Sequence, residues 1–242
     1  MKFFIILLIA VSSFPAIGSG AAKPNACPVF SYDLLMKDAA TDYVEPMQAL
    51  FEICPSPRLL QFGVSKGTYF LLSQCESVTS IELLGMNERG EYFPEEFKKY
   101  KQALLWYKDF NNWEPKLYYC QQDMADANLV AVNRHPFKSQ VDAGYLEEIK
   151  DCVNQAFNNK SYDVALIDST IYLRAVFVNA LFGQVDIVVA HGTGDHSGVF
   201  GWQVVAPPAE YEVVNFSRGS GTTFWIHNKH RDIIDYLRRS FQ

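Results

Sequence analysis

The stretch LLQFGVSKGTYFLLSQCESVTSIEL, running from Leu59 to Leu83, decides how the rest of the chain is read. It has the order strand, glycine-bearing turn, helix, second strand, with an acid near the close. Leu59, Leu60 and Phe62 suit a strand buried in a parallel sheet, and Gly63 and Gly67 let backbone approach a ligand where a Cβ would clash. A helix that starts after such a turn points unpaired N–H groups at the ligand, and Glu82 is placed to accept hydrogen bonds from ribose hydroxyls. From Gly67 to Glu82 there is room for about three helical turns and a short strand, close to the roughly 20-residue spacing of dinucleotide pockets. The glycine pattern is incomplete: Ser65 stands where G-x-G-x-x-G has its second glycine, and no Lys-Ser/Thr pair follows Gly67.

Outward from that stretch, 242 residues at 49% hydrophobic and 20% charged can bury one substantial core, so one main domain is expected. The net charge is −6 with no Lys/Arg-rich stripe to offset it, which argues against a nucleic-acid partner. Residues 1–22 read as a secretory signal peptide: Met1-Lys2, an apolar run from Phe3 to Val11, then small residues to Ala22. The apolar run is too short to span a bilayer, so export without an integral membrane span is expected once it is cleaved. Cleavage fits after Gly18, Gly20 or Ala22, and Ala22 is preferred because Lys23-Pro24 opens a polar segment.

The five cysteines, Cys27, Cys54, Cys75, Cys120 and Cys152, contain no C-x-x-C pair, which removes the usual zinc and redox spacings. In an exported chain Cys27 with Cys54 would staple the amino-terminal segment, whereas buried thiols would act as small hydrophobes. The sequons Asn159-Lys-Ser161 and Asn215-Phe-Ser217 permit N-glycosylation only in a eukaryotic secretory route. Residues 23–57 form a lead-in with a helix over 43–53 that Pro55 and Pro57 terminate.

Residues 58–242 then alternate short apolar runs with helical periods, the sign of a parallel sheet with crossover helices. Strands are expected near 58–63, 78–83, 116–121, 162–168 and 185–190, with helices near 67–75, 94–109, 143–158 and 171–182. Residues 211–216 and 222–227 flank a glycine-rich turn suited to an antiparallel hairpin, and 231–241 closes the chain as a helix. The long stretch from Asp123 to Gly144 reads as a substrate loop or lid. Aromatics at Tyr92, Phe93, Phe97, Tyr100, Trp106, Tyr107, Phe110 and Trp113 suit either a pocket wall or the core face of a helix with lysines on its wet side.

This succession, with a glycine turn after the first strand and acids after later ones, resembles the class I S-adenosylmethionine-dependent methyltransferases over roughly residues 58–230. The resemblance implies a Rossmann-like, doubly wound, mostly parallel sheet whose seventh strand is antiparallel. It also implies S-adenosylmethionine as cofactor and methyl transfer to O or N of a small-molecule or glycan acceptor. Residue by residue it places Gly63, Gly67 and the turn position Ser65 at the cofactor, Glu82 at the ribose, Asp123 facing the adenine, and Asp168 facing cofactor or acceptor. Gln61 stands where the family has an acid, and it keeps hydrogen-bonding capacity but not charge.

His191, in the segment His191-Gly-Thr-Gly-Asp195-His196, lies at the expected carboxyl edge of the sheet and is the first choice for a general base, with Asp168 as the second catalytic candidate. The structural alternative is that His191 caps a strand end. A divalent metal on Asp168, Asp195 and His196 is a lesser alternative, because their spacing is no established ligand motif. A secreted binding or effector module that kept the scaffold and lost the cofactor site is the competing function.

Overall fold

The computed structural model describes residues 31–86, 94–123, 143–169, 174–194 and 200–242. The expected signal peptide, Cys27, the aromatic residues Tyr92 and Phe93, and the loop positions Asp195 and His196 lie outside the described residues. Two helices open the described chain, α1 (Tyr32–Lys37) and α2 (Val44–Ile53). The order continues as β1 (Arg58–Phe62), α3 (Thr68–Gln74), β2 (Ser77–Met86), α4 (Pro94–Trp106), β3 (Trp113–Asp123), α5 (Ala143–Phe157) and β4 (Val164–Ile167). Then come α6 (Arg174–Leu181), β5 (Ile187–His191), β6 (Tyr211–Phe216), β7 (Thr222–His227) and α7 (Arg231–Ser240).

The seven strands form one sheet in the order β3-β2-β1-β4-β5-β7-β6, parallel except for β7, which runs antiparallel to both neighbours. This is the Rossmann-like, methyltransferase-type sheet expected from the sequence. Strand order reverses between β1 and β4, and in open α/β sheets the ligand crevice lies outside the carboxyl ends at such a point.

Both faces of the sheet are covered, so its central strands β1, β4 and β5 read as near-continuous apolar runs rather than alternating, with Gln61 in β1 and His191 at the end of β5 as the buried polar positions. Leu60, Phe62, Ala165, Ile167, Val188 and Ala190 point to the face that α5 and α6 cover with Val153, Ala156, Phe177 and Val178. Their chain neighbours Leu59, Val164, Leu166, Ile187 and Val189 point to the other face, under α2, α3, α4 and α7. Each of these leucines and valines is fully or almost fully buried, worth about 1.5–3 kcal/mol per side chain in apolar transfer. The lead-in is part of this second core: Val44, Met47, Leu50 and Phe51 lie on the inner face of α2 at helical spacing and are buried.

Strand β1 ends one residue earlier than expected, because Gly63 leaves the extended region at φ +94. Strands β2 and β3 both run further, and their pairing continues from Val78↔Trp113 to Met86↔Asp123 across an irregularity. α1 was not expected from the sequence. On α4, Tyr100 and Ala103 are buried, as is Tyr107 just beyond the helix, whereas Phe97 and Leu104, expected on the same core face as Tyr100, are only half-buried. Asn159 is exposed, at φ 58 just after α5, while Asn215 sits within β6 with its Oδ1 accepting from the Thr223 hydroxyl.

Candidate functional site

A cavity of about 780 Å³ opens at the carboxyl edge of the sheet, at the β1/β4 reversal. The turn Gly63–Lys66 forms its floor beside Glu82, and Trp106 and Lys99 bring α4 to one end. At the other end stand Asp168, Arg174, His191 and Phe200, with residues 38–41 of the lead-in as a further wall. The aromatic segment thus serves both readings, since Trp106 at the end of α4 lines the cavity while Tyr107, the next residue, is buried in the core.

The glycine turn is closed on itself. Gly63 N–H donates to the Ile81 carbonyl at 2.8 Å, Val64 N–H to Glu82 Oε2 at 2.6 Å, Ser65 N–H to Thr68 Oγ1 at 3.1 Å, and Gly67 N–H to Ser65 Oγ at 3.2 Å. These four turn amides are held by the chain's own acceptors, and at the start of α3, where unpaired N–H groups were expected to face a ligand, Thr68 N–H already donates to the Ser65 carbonyl and Tyr69 N–H to the Lys66 carbonyl, each at 3.2 Å. Ser65 also explains the missing second glycine: its hydroxyl is shared with Gly67 N–H and the Tyr43 hydroxyl, and its carbonyl accepts from Tyr107.

The two glycines are required by protein neighbours. A Cβ on Gly63 would meet the Asp168 carbonyl oxygen at 2.4 Å, so glycine is what lets the ends of β1 and β4 come together. A Cβ on Gly67 would meet the Tyr43 hydroxyl at 2.1 Å, which places a lead-in side chain against the turn. Tyr43 is fully buried, and burial together with the nearby Asp168 charge pushes its phenol pKa well up, so it remains a neutral hydrogen-bonding group.

Gln61, in the acid's place, is fully buried behind the turn. Its Oε1 accepts from Thr68 Oγ1 at 3.2 Å and Ser80 Oγ at 3.1 Å, and Ser80 in turn accepts from Trp113 Nε1 at 3.0 Å. Both hydroxyls thus need an acceptor at position 61, which an amide oxygen supplies without a charge, and Gln61 Nε2 is left with no partner among the described residues. Glu82 lies level with Gly63, 6% exposed, where the sequence placed the ribose acceptor. Asp123 is the last residue of β3, and its side chain lies outside the described residues.

His191 ends β5 and is 4% exposed. Its Nδ1 lies 2.9 Å from Asp168 Oδ1 and its Nε2 2.6 Å from Asp42 Oδ1. Burial alone would lower the imidazole pKa, but the bonds to Asp168 and Asp42 outweigh it and raise it, which favours the imidazolium with both N–H groups donating. For Asp42 burial likewise works against the charge, and the bonds from His191 and from Ser220 N–H win and hold its carboxyl below the usual range. Arg174 completes the cluster from α6: Nε donates to the Ser169 carbonyl at 2.9 Å, Nη1 to the His191 carbonyl at 2.6 Å, and Nη2 lies 3.5 Å from Asp168 Oδ1. Its guanidinium carbon sits 4.2 Å from the centre of the Phe200 ring.

The structure therefore brings His191 and Asp168 together at the cavity, with both imidazole nitrogens engaged by carboxylates. A free nitrogen lone pair, which a general base needs, is absent from this arrangement. Sequence reasoning missed Asp42, Tyr43 and Arg174. No local signal marks Asp42, which meets His191 across 149 positions of sequence. Among the described residues no group of three or more His, Cys, Asp or Glu side chains is arranged to hold a metal ion.

No protein-family model matches the sequence, and no curated protein matches it. Among solved structures, the chain is similar to a protein assigned as a caffeoyl-CoA O-methyltransferase from Staphylococcus aureus, at 15% identity and a TM-score of 0.47 over 76% of this chain and 82% of that one. A Podospora anserina methyltransferase solved with bound SAH is 11% identical, with a TM-score of 0.40 over 78% of this chain and 88% of its own. An N-methyltransferase from Bradyrhizobium japonicum is 9% identical, with a TM-score of 0.38 over 76% of this chain and 92% of its own. These likenesses concern the fold alone, and the fold assignment rests on the strand order and the antiparallel β7.

Proposed function

We propose that the chain binds S-adenosylmethionine in the 780 Å³ cavity and transfers its methyl group to O or N of a small molecule. The observation that carries this reading is Glu82, buried at the cavity wall, level with Gly63 and held in place by Val64 N–H. An anchored carboxylate at that point is suited to accept from two ribose hydroxyls. The Gly63–Lys66 turn would flank the cofactor's amino-acid portion, and the end formed by Arg174, Gly192, Gly194 and Phe200 would take the acceptor.

When bound, the cofactor supplies an electrophilic methyl group, and the chain's task is in-line positioning and exclusion of water. His191 serves this reading as a positioning residue that holds Asp42 and Asp168 together at the acceptor end. Residues 1–22 remain, on this proposal, a leader whose removal leaves Lys23 first, which amino-terminal sequencing of the exported protein would test.

Glu82→Ala tests the ribose assignment. It should weaken binding of S-adenosylhomocysteine at least about tenfold, the cost of losing hydrogen bonds to a charged acceptor, while α2 and the sheet core stay folded. Equal affinity in variant and parent would move the ribose elsewhere. A second reading, a binding module without catalysis on the same scaffold, is favoured by one observation: the Tyr43 hydroxyl already sits against Gly67. Absence of S-adenosylhomocysteine binding by the folded chain would favour that reading.

A further inference from the structure

Residues 38–42 form neither helix nor strand; they lie in the connection from α1 to α2, and 38–41 line the cavity. Their ends are fixed, because Leu35 on one side and Tyr43 on the other are buried in the core under α2. Thr41 Oγ1 donates to the Leu35 carbonyl at 2.7 Å and gives the segment a shape of its own. Its remaining ties reach both rims of the cavity. Toward the glycine turn, Asp38 pairs with Lys66 at 3.4 Å. Toward the β6–β7 turn, Ser220 Oγ donates to the Ala39 carbonyl at 2.9 Å, and Ser220 N–H donates to Asp42 Oδ2 at 2.7 Å. Between them Asp42 Oδ1 takes His191 Nε2 at 2.6 Å.

The β6–β7 turn is shaped to receive this carboxylate. Gly219 has φ +61, and a Cβ there would meet Asp42 Oδ2 at 2.1 Å, so any larger residue would displace Asp42 from its seat. All these ties are side-chain contacts or single bonds to a turn. None belongs to the sheet ladder, so the segment can lift without unpairing a strand. The Asp42 bonds to His191 and Ser220 N–H are charge-assisted and dominate what must be broken.

We propose that residues 38–42 are a strap that gates the cavity, with Asp42 as its pin, seated on His191 and Ser220 and made room for by Gly219. The strap rests on the proposed function only for the identity of the ligand it admits. With Asp42 seated, it walls the cavity against water, and with Asp42 released it opens a path for ligand between the glycine turn and the β6–β7 turn.

The test is amide hydrogen exchange on the full chain for the parent, Asp42→Ala and Gly219→Ala, together with stopped-flow binding of S-adenosylhomocysteine. Both variants should raise exchange in residues 38–42 at least about tenfold, from loss of a charge-assisted bond, and leave β4 and β5 unchanged. Both association and dissociation of S-adenosylhomocysteine should quicken. Unchanged strap exchange in both variants overturns the proposal. So does an equal rise in β4 and β5, which would mean general loosening, and so do unaltered ligand rates once strap exchange has risen. If S-adenosylhomocysteine binds none of the three proteins, the cofactor assignment falls, and the exchange data alone decide the strap.

Discussion

Gly63→Ala isolates the close approach of β1 and β4 on which the cavity floor depends. Two costs add at this position. An L-residue at φ +94 leaves its preferred region, at about 1–2 kcal/mol. The new methyl would also lie 2.4 Å from the Asp168 carbonyl oxygen and 2.8 Å from Ser169 Cα, both backbone atoms, so relief requires moving the end of a buried strand. Overpacking of that kind costs about 1–3 kcal/mol, giving a total of about 2–5 kcal/mol. Domains are stable by only about 5–15 kcal/mol, so this is a large fraction. Gly183→Ala supplies the control, because Gly183 has φ +79 and a methyl there would meet no described atom within 4 Å, so it carries the backbone cost alone. Urea unfolding should show a midpoint about 1–2 M lower for Gly63→Ala than for the parent, at unchanged m-value, and a clearly smaller shift for Gly183→Ala. Equal shifts in the two variants would refute the steric argument and with it the account of how the cavity floor is closed.

Stability should depend on pH from both sides. The raised His191 pKa contributes stability that is complete below its ordinary value of about 6.5 and is lost as pH rises through the raised value. The depressed carboxyls of Asp42, Asp163 and Asp186 contribute stability that is present above the ordinary carboxylate value of about 3.9 and lost as pH falls through their lowered ones. Melting temperature against pH should therefore plateau between these limits, and His191→Gln should flatten the alkaline fall; an unchanged alkaline limb would detach His191 from it. Gln61→Leu should destabilise by about 2–4 kcal/mol in urea, since it strands the Thr68 and Ser80 hydroxyl donors, and a loss below about 1 kcal/mol would break that network reading. Among the described cysteines all four thiol pKa values are pushed up, that of Cys54 by burial and the nearby Asp163, so access decides: Cys75, Cys120 and Cys152 are buried, and only half-buried Cys54 should react with a disulfide reagent in the native protein. Prompt labelling of Cys152 under native conditions would contradict the packing of α5 on the sheet.

The sheet was legible because its signals are local. The apolar runs at Leu59 to Phe62, Val164 to Ile167 and Ile187 to Ala190 are buried on both faces and flanked by turn residues, so pattern and structure coincide. The hairpin was read from the glycines between Phe216 and Thr222, which the β6–β7 turn uses at φ +61 and +78. Strand lengths were less legible where Trp113, Glu114 and Pro115 begin β3, since an edge strand paired on one side need not be apolar. At the site, Asp168 and His191 were found because one follows β4 and the other ends β5, and Glu82 because it nearly closes the strand expected over 78–83, although β2 runs on to Met86. Their partners were not, because Asp42 and Tyr43 arrive from the lead-in and Arg174 from the helix after β4. The glycines were recognised as necessary for close approach, but the approaching groups proved to be the Asp168 carbonyl and the Tyr43 hydroxyl. A sequence records that a Cβ is excluded without recording which atom excludes it.

The central claim, that this cavity takes S-adenosylmethionine, is tested most directly by calorimetric titration of the full chain with S-adenosylhomocysteine. One site per chain, with binding lost on replacing Glu82 by alanine, is the predicted result; absence of heat at millimolar ligand would contradict it and leave the scaffold as a binding module for something else.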